Sequence, residues 1–474
     1  MPYVTDDDSK AVGRIAEIER ELQEAKAELD RWLAASSTPT DAAEMTQRER
    51  STKALTDRIQ ALATALELQR ALASPELHAQ ERKLAKGSPK KMKDFGYRPV
   101  TVQFLGGQEM QLMARYWCRS QAAKEKGKGC YFGLVLLGVC DHCTPALASE
   151  VAQLAAALSS FEDAQSRLRQ MGVAMSIRRI ATVSYYFSQR ARRQQELAGM
   201  GIDGSLAGQR VVISLDGGRI RIRKRKRGKK TKKGRSRYHT DWREPKLLVI
   251  YVVDDKGRIS REFAPVIDGT LRGPDEIVRL LEFYLSQLQI TEAATILFIA
   301  DGAKWIWKRV GPLLQRLGLE GRCRELVDFY HVIEHLNTLA GLKTSWRSSE
   351  RKRWVSRQRR RLWRGEVAAF IAEIERFCRG KRGKGWSRER DYLLRNAWAG
   401  RLDYAKARRA KLPMGSGTME SAIRRVLNLR LKGASIFWTE EHAEQMLLLR
   451  TYYKSQRWQV LENKAFAIPL ATAA

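Results

Sequence analysis

The stretch VVISLDGGRIRIRKRKRGKKTKKGRSR at positions 211–237 is the most informative part of this sequence. Four of its first five residues are apolar, three of them β-branched, which suits a buried strand. That strand runs directly into Asp216 and two glycines, and charged and apolar residues then alternate from Arg219 to Arg223 as in a half-buried strand. Lys and Arg dominate from there to Arg237. A carboxylate at the end of a core strand, beside a dense cationic arm, favours an acid that holds a metal ion and acts on a polyanion.

The composition of the whole chain agrees with a polyanionic partner. The 474 residues are enough for two to four folding units, and a hydrophobic content of 43% supplies their cores. The formal net charge of +34 opposes a compact state unless a partner neutralises it. Nucleic acid is the usual partner of such a chain. An anionic membrane surface is the competing explanation, but the basic residues are spread along the chain rather than confined to one amphipathic helix.

Targeting and membrane signals are not visible in the sequence. The N-terminus MPYVTDDDSK lacks a basic segment followed by an apolar one, so no signal peptide is predicted. The longest apolar run, residues 131–140, is too short to span a bilayer. Six cysteines in a chain of this length do not indicate a disulfide framework. We therefore expect a soluble intracellular protein that does not engage a membrane.

Residues 1–75 are predicted to be helical. Apolar residues from Ile15 to Trp32 recur at alternating steps of three and four, and the same spacing returns from Leu55 to Gln69 after the break ASSTPT. A hairpin of two helices within one chain and a coiled coil between two chains both fit this pattern. The spacing does not decide between them.

Residues 76–144 are predicted to form a basic linker followed by a small β region. Residues 100–105 and 110–118 flank Gly106-Gly107 as a β-hairpin, and the CxxC motif of Cys140 and Cys143 lies on a turn. With Cys118 and Cys130 this motif would give four thiolates for zinc, but the second pair lacks the usual close spacing. A structural Zn²⁺ is therefore not expected.

Residues 145–200 are predicted to form three helices, with Gly172 breaking the chain and Ser176 capping the last helix. Two short helices joined by a tight turn resemble a helix-turn-helix, which would place Arg178 and Arg179 near the start of a DNA-recognition helix. The alternative is a three-helix packing unit whose arginines are only solvated. The charge of the chain favours contact with DNA.

The centre of the chain alternates strands and helices in an informative order. Strands are predicted at residues 211–216, 246–253, 259–267, 295–300 and 324–327, with helices after the third, fourth and fifth strands. This is the strand order of the ribonuclease H-like fold. Its first and fourth strands are neighbours, so Asp216 and Asp301 are expected to meet at one edge of the sheet. A third acid, Glu420, lies where GSGTME opens a late helix.

Each acid alone has an ordinary explanation, since Asp is common at strand ends and Glu is common in first helical turns. Two-metal phosphoryl transfer, however, needs carboxylates from separate elements that converge on the ions. Three acids on three matching elements fit that requirement better than chance placement does.

Five motifs resemble the DDE transposases of prokaryotic insertion sequences, specifically the ISKra type. They are LDGGR at 215–219, WREPKLLVIYVVD at 242–254, FIADGAKWIW at 298–307, ELVDFYHVIEHL at 325–336 and GSGTMESAIRRVLNLRLKG at 415–433. The resemblance covers roughly residues 145–455. It implies an RNase H-like α/β catalytic core with a mixed sheet and a DDE triad of Asp216, Asp301 and Glu420.

The resemblance also implies further features of the core. The sequence DFYH at 328–331 matches a signature that several DDE superfamilies carry after the second acid, which places His331 beside the active site as a phosphate ligand or proton shuttle. The core is predicted as residues 208–340 and 411–474, interrupted by a basic helical insertion at 341–410. Five tryptophans of this insertion are mostly expected to anchor its helices, with one or two stacking on DNA: Trp346, Trp354, Trp363, Trp386 and Trp398.

The function expected from these features is DNA strand cleavage and strand transfer by a cytoplasmic, nucleoid-associated transposase. Two Mg²⁺ or Mn²⁺ ions would be held by Asp216, Asp301 and Glu420, and a dimer is expected on the paired terminal inverted repeats, with target DNA as second substrate. Nonspecific DNA contacts are assigned to the basic arm: Arg219, Arg221, Arg223, Lys224, Arg225, Lys226 and Arg227. The alternatives are an RNase H-fold nuclease without joining activity and a transposase-derived DNA-binding regulator.

Overall fold

The computed structural model of the chain describes residues 6–35, 37–88, 92–119, 129–202, 204–232, 234, 236–433 and 436–467. These residues fold into two compact units, one formed by residues 1–199 with 459–474 and the other by residues 200–458. The last seven positions of the predicted C-terminal tail, 468–474, lie outside the described residues. No helix among the described residues combines the length and the apolar character needed to cross a bilayer.

The first unit begins with a helical hairpin. Helix α1 (Asp6–Ala35) lies antiparallel to α2 (Ala42–Leu72), as ion pairs between Glu28 and Arg58 and between Glu19 and Arg70 show. The heptad stripe of α1 is buried in the same core cluster as that of α2. Of the two arrangements that the spacing allows, the structure shows the hairpin within one chain.

A β-hairpin completes this core. Strands β1 (Lys93–Gln103) and β2 (Glu109–Cys118) pair antiparallel, as predicted, and bury Val102, Phe104 and Leu112 against the helical hairpin. The structure differs from the predicted basic linker at the start of this region, because helix α3 (Pro75–Gly87) occupies it. Ser74 caps α3 by accepting a hydrogen bond from the amide of Leu77, and Pro75 suits its first turn.

The rest of the first unit is helical. It comprises α4 (Phe132–Leu136), α5 (Pro145–Ala157), α6 (Phe161–Gln170), α7 (Ile177–Ala198) and the C-terminal helix α17 (Trp458–Phe466). Ser176 caps α7 through the amide of Arg179, as the sequence indicates. Helices α5, α6 and α7 bury one another's apolar faces around Leu147, Leu168 and Phe187.

The second unit is built on a mixed five-stranded sheet. Its strands are β3 (Arg210–Gly217), β6 (Lys246–Val252), β7 (Val266–Thr270), β8 (Thr295–Ala300) and β9 (Cys323–Val327), in the order β7-β6-β3-β8-β9. Strands β3, β8 and β9 are parallel, and β6 and β7 run antiparallel to their neighbours. The fold class of this unit is therefore mixed α/β. Every residue of β6 is buried, as its unbroken apolar sequence predicts.

The predicted third strand, residues 259–267, is wrong in its bounds. Only Val266 onward joins the sheet, while Ile259 makes an isolated bridge to Val253 and residues 261–263 form bends. Arg261 and Glu262 are exposed, so this segment offers the sheet no apolar face to bury. The turn at Lys256-Gly257 occurs as predicted, closed by hydrogen bonds to Asp254.

The basic arm does not extend the five-stranded sheet. Strand β4 (Ile220–Arg225) pairs antiparallel with β5 (Tyr238–Arg243), a strand that the sequence pattern did not indicate, and together they form a separate two-stranded ribbon. We call the segment between the two strands, residues 226–237, the basic tip. Ile220 and Ile222 are buried, so β4 lies half in the core as predicted.

Helices surround the sheet and continue beyond it. Helices α8 (Pro274–Gln287), α9 (Lys304–Arg316) and α10 (Phe329–Gly341) follow β7, β8 and β9, with a short 3-10 turn at Ile290–Glu292. A helical segment then comprises α11 (Ser348–Arg364), α12 (Val367–Cys378), α13 (Lys384–Trp398) and α14 (Tyr404–Arg409). The chain closes with α15 (Gly417–Ile423), one π-helical turn (Arg424–Asn428) and α16 (Glu440–Lys454).

Candidate active site

Two of the predicted acids lie at the same end of neighbouring strands. Asp216 is the penultimate residue of β3, and Asp301 follows the last residue of β8. The parallel register pairs Ile213 with Phe298, so both acids lie three residues beyond one paired position. Both carboxylates are anchored by nearby amides, Asp216 by that of Gly217 at 2.6 Å and Asp301 by that of Ala303 at 3.1 Å. The sheet therefore fixes the two acids level with each other.

Burial makes both carboxylates costly to ionise. The pKa of Asp216 is raised to about 6, mainly by burial and also by the neighbouring Asp301 carboxylate, against the opposing effects of the Gly217 amide and His331. The pKa of Asp301 is also raised by burial, although the Ala303 amide and His331 partly compensate. Ionising two neighbouring buried carboxylates is unfavourable. A bound divalent cation would offset this cost.

His331 supplies positive charge to this group of acids. It lies in the first turn of α10, and its Nδ1 is 3.7 Å from Oδ1 of Asp328, an ion-pair separation rather than a hydrogen bond. This pairing raises the pKa of His331 to about 9 against the effect of burial. The imidazole is therefore cationic at neutral pH. Its charge acts on both Asp216 and Asp301, which places all three side chains in one electrostatic cluster.

Asp328 connects the elements that carry the other site residues. Its Oδ1 accepts hydrogen bonds from the amides of Tyr330 at 2.7 Å and His331 at 3.1 Å, and so caps α10. Its Oδ2 accepts from the amide and the hydroxyl of Ser416, at 2.5 and 2.6 Å, across 88 residues of sequence. The backbone amide of Asp328 donates to the carbonyl of Ala300, immediately before Asp301.

The charge of Asp328 is well stabilised in this position. The residue is completely buried, and burial alone would raise the pKa of its carboxyl. The interactions with His331 and Ser416 outweigh that effect and lower the pKa well below its ordinary value. Asp328 is thus a permanent anion that receives four hydrogen bonds.

The hydrogen bonds between Ser416 and Asp328 position the start of the helix that carries Glu420. Ser416 precedes α15, and its carbonyl accepts the amide hydrogen bond of Glu420 at 3.0 Å. Ligand atoms of Asp328, His331 and Glu420 lie within 4.8 Å of one another, and among the described residues this is the one group of three side chains spaced to hold a metal ion. The predicted triad of Asp216, Asp301 and Glu420 is not brought within that spacing. The sequence predicted that Glu420 opens a helix from 421 to 431. The helix instead spans Gly417–Ile423 and widens into the π-helical turn.

Two glycines beside the site leave room for aromatic rings that a larger residue would contact. A Cβ at Gly302 would lie 2.1 Å from the ring of Tyr392 on α13, and one at Gly415 would lie 3.0 Å from the ring of Tyr330. Arg395, also on α13, donates to the carbonyl of Gly302 at 3.0 Å. His335 on α10 stacks on Tyr392 with ring centroids 3.5 Å apart. Helix α13 therefore supports the loop that follows Asp301.

Two charged neighbours of the acids, Glu244 and Lys246, were not predicted. Glu244 raises the pKa of both Asp216 and Asp301, and it forms an ion pair with Lys246. Lys246 is buried and lies 4.2 Å above the ring of Trp305. Both residues belong to the motif WREPK at 242–246. The position of this motif between β5 and β6 is the signal that could have placed Glu244 and Lys246 beside Asp216. Asp328 stood in the DFYH motif, but nothing local indicated its partner Ser416.

The predicted DNA-contact residues fall into two separate places. Those of the basic arm lie on the β4–β5 ribbon and its tip, where Arg223, Arg225, Lys226 and Arg227 are exposed. In the first unit Arg178 is exposed at the start of α7. Arg179 is partly buried, 3.6 Å from Glu109, and also donates toward the carbonyl of Asp141. Arg179 thus has partners within its own unit, whereas the side chain of Arg178 faces solvent.

The CxxC motif forms a tight turn. The backbone groups of Cys140 and Cys143 exchange two hydrogen bonds of 2.9 Å, and Asp141 and His142 adopt left-handed conformations between them. His142 contacts the carbonyl of Thr101 through Nδ1 at 3.0 Å. Burial raises the pKa of the Cys140 thiol to about 12 and that of Cys143 to about 11, which disfavours the thiolates that metals bind.

Most tryptophans of the helical segment pack inside it. Trp346, Trp354 and Trp386 each contact the ring of Phe377, and Trp354 donates to Glu373 at 2.8 Å. Trp363 is 40% exposed and lies under Arg408, while Trp398 is 64% exposed. Helix-core anchoring thus accounts for three of the five rings.

Comparisons with protein-family models, with curated proteins and with solved structures give no match to this chain.

Proposed function

We propose that this chain is a DDE transposase of the insertion-sequence type, which cleaves and joins DNA strands with a divalent metal ion. The observation that carries the proposal is the level placement of Asp216 and Asp301 on adjacent parallel strands. The third acid, Glu420, lies beside Asp328 and His331, and the charge of His331 acts on both aspartates. The strand order β7-β6-β3-β8-β9 agrees with an RNase H-like core. In that core the helical segment 348–409 is an insertion between α10 and α15.

The donor set fits Mg²⁺ or Mn²⁺. Carboxylate oxygens are the ligands that these hard cations prefer, and Asp216 and Asp301 are desolvated acids that gain from a cation. Asp216, Asp301 and Glu420 would hold the ions. When bound, such ions polarise the phosphodiester and activate the attacking oxygen.

The residues of the chain have separate tasks in this mechanism. The sheet holds Asp216 and Asp301 in fixed positions, so no reorganisation is needed when the scissile phosphate arrives. The cationic His331 is placed to contact a nonbridging phosphate oxygen or to give a proton to the departing 3′-oxygen. Asp328 orients His331 and Glu420 together without contacting the DNA. Water attacks in the cleavage step, and the freed 3′-hydroxyl attacks the target strand in the joining step.

The test is an incubation of the purified protein with Mg²⁺ and labelled duplex DNA taken from either side of its coding sequence. The transposase produces both 3′-hydroxyl cleavage products and strands joined to a target duplex. Cleavage without joining would identify a nuclease of the same fold. Specific binding without either product, in Mg²⁺ and in Mn²⁺, would identify a DNA-binding regulator, and both results would refute the proposal.

A further inference from the structure

The β4–β5 ribbon has two chemically distinct faces. Its register pairs Arg221 with Trp242, Arg223 with Thr240 and Arg225 with Tyr238, so these six side chains share one face. Ile220 and Ile222 lie on the other face and are buried. We call the first face the arginine–aromatic face. On it Trp242 is 49% exposed and Tyr238 is 46% exposed.

Arginines and rings alternate on the arginine–aromatic face. The guanidinium of Arg221 lies 6.0 Å from the centre of the Trp242 ring and 4.8 Å from that of Phe437, and Arg219 lies 5.5 Å from Trp242. Arg223 lies 5.0 Å from the ring of Tyr238. These contacts hold the guanidinium groups in a row, because stacking on a ring restricts a long side chain that would otherwise be free.

The ribbon is anchored rather than loosely attached. The backbone of Trp438 accepts from the amide of Arg223 at 2.7 Å and donates to the carbonyl of Arg221 at 3.3 Å. Arg221 also donates its side chain to the carbonyl of Gly433. Ile220 and Ile222 are buried on one face of the ribbon, whereas Arg223, Arg225, Trp242 and Tyr238 on the arginine–aromatic face are exposed to solvent.

The root of the ribbon adjoins the acids. Only Gly217, Gly218 and Arg219 separate Asp216 from β4, and β5 leads directly into Glu244, whose charge acts on Asp216 and Asp301. Nucleotides next to a phosphate held by these acids would therefore reach Arg219 and Trp242 first. The sequence from 219 to 243 carries fourteen Lys and Arg against one Asp, so the described residues of the basic tip add positive charge at the other end of the ribbon.

We propose that the arginine–aromatic face binds unpaired nucleotides of the DNA strand next to the cleavage point. Their bases stack on Trp242 and Tyr238, and their phosphates contact Arg219, Arg221 and Arg223. A surface that held only duplex phosphates would need the arginines alone. Half-exposed rings between ordered guanidinium groups are instead the combination that recognises single strands. This proposal rests on the proposed function, since the acids define the cleavage point.

The test compares two DNA probes that share one duplex. One is blunt and the other carries a six-nucleotide single-stranded extension, and both are titrated with the full chain in Ca²⁺, which supports metal-dependent binding without turnover. Wild-type protein should bind the extended probe more tightly. Trp242→Leu should lose about tenfold in affinity for the extended probe and less than twofold for the blunt probe, because stacking is lost while the charges remain.

Two further variants separate stacking from a disturbed ribbon. Trp242→Phe keeps a ring and should retain most of the preference for the extended probe. Phe283→Leu removes an exposed ring from α8, outside the ribbon, and should leave both affinities unchanged. Equal losses on both probes would show that the ribbon holds only duplex backbone and would overturn the inference.

The outcome is distinguishable from a failure of the proposed function. Absence of binding to every DNA probe would refute the transposase proposal itself. Tight binding to both probes without preference would refute only the role of the arginine–aromatic face. The slope of affinity against salt should be the same for Trp242→Leu and wild type, since no phosphate contact is removed.

Discussion

Replacing Asp328 by Asn should detach Glu420 from the site. The amide keeps the shape of the carboxylate, and its oxygen can still accept the hydrogen bonds from Tyr330 and His331. In the wild type the amide nitrogen of Ser416 lies 2.5 Å from Oδ2 of Asp328. In the variant the side-chain nitrogen of the new Asn would face this amide. Two donors would then oppose each other in a completely buried position. The variant would lose one charge-assisted hydrogen bond and leave a buried N–H without an acceptor.

The magnitude follows from the cost of that lost contact. A hydrogen bond to a charged group contributes about 1.5–3 kcal/mol, and an unsatisfied buried donor costs a similar amount. Since the Ser416 loop can partly relax, we expect a local loss of about 3 kcal/mol, at the upper end of the single-bond range. That corresponds to roughly a hundredfold increase in the opening of residues 414–420.

Hydrogen exchange measures this opening directly. Amides from 414 to 420 should exchange roughly a hundredfold faster in Asp328→Asn than in the wild type, and DNA cleavage should fall with them. Ser416→Ala removes only the hydroxyl contact and should give a smaller increase. Asp403→Asn changes the cap of α14, where Asn is an equally good cap, and should have no effect. Lost cleavage with unchanged exchange at 414–420 would refute the tethering role and assign Asp328 to metal binding.

Three further predictions concern other parts of the chain. Asp216→Asn and Asp301→Asn should each abolish cleavage and joining while DNA binding persists, because an amide is a poor ligand for Mg²⁺. The control Asp255→Asn changes an exposed residue and should stay active. Full activity of the Asp216 or the Asp301 variant would contradict the metal-binding role. Arg178→Ala should reduce the preference for element ends over random DNA in a competition assay. Arg179→Ala should mainly lower the melting temperature, since Arg179 contacts Glu109 and Asp141. An unchanged preference in the Arg178 variant would leave α7 as a packing helix. Burial raises the pKa of Glu81 to about 7 from 4.5, so its protonated form stabilises the fold fully below pH 4.5 and this contribution is lost as pH rises to 7. Urea unfolding should show up to about 3 kcal/mol of this loss, Glu81→Gln should remove it, and the exposed Glu76→Gln should not; a wild-type stability that is flat from pH 4.5 to 7 would show that Glu81 is ionised throughout.

The sequence was sufficient to predict the order of the strands in the central sheet. Unbroken apolar runs such as 246–252 and 295–300 have few alternatives to buried strands, and the helical periodicity between them is clear. The level placement of Asp216 and Asp301 follows from that order. Their adjacency was predicted from the ribonuclease H-like strand order, and the parallel pairing of β3 with β8 agrees with that prediction.

Other features depend on pairings that no local pattern contains. Strand β5 consists of polar and aromatic residues and becomes a strand because β4 lies opposite it. The Asp328–Ser416 contact joins positions 88 residues apart. The hairpin of α1 and α2 has the same heptad spacing as a dimer would have. In each case the pairing partner decides the structure, and the pattern within the element does not identify that partner.

Hydrogen bonds next to Asp328 also hold together the two ends of the helical segment 348–409. The amide of Phe329 donates to the carbonyl of Met414 at 2.9 Å, the amide of Val327 to that of Arg401 at 3.0 Å, and Tyr404 to the carbonyl of Val327 at 2.9 Å. The chain thus leaves and returns at one point, and the cost of closing a loop changes only slowly with its length. Evolution can lengthen, shorten or exchange the distal helices α11 and α12 without moving the acids, while α13, whose Tyr392 and Arg395 contact Gly302, must stay.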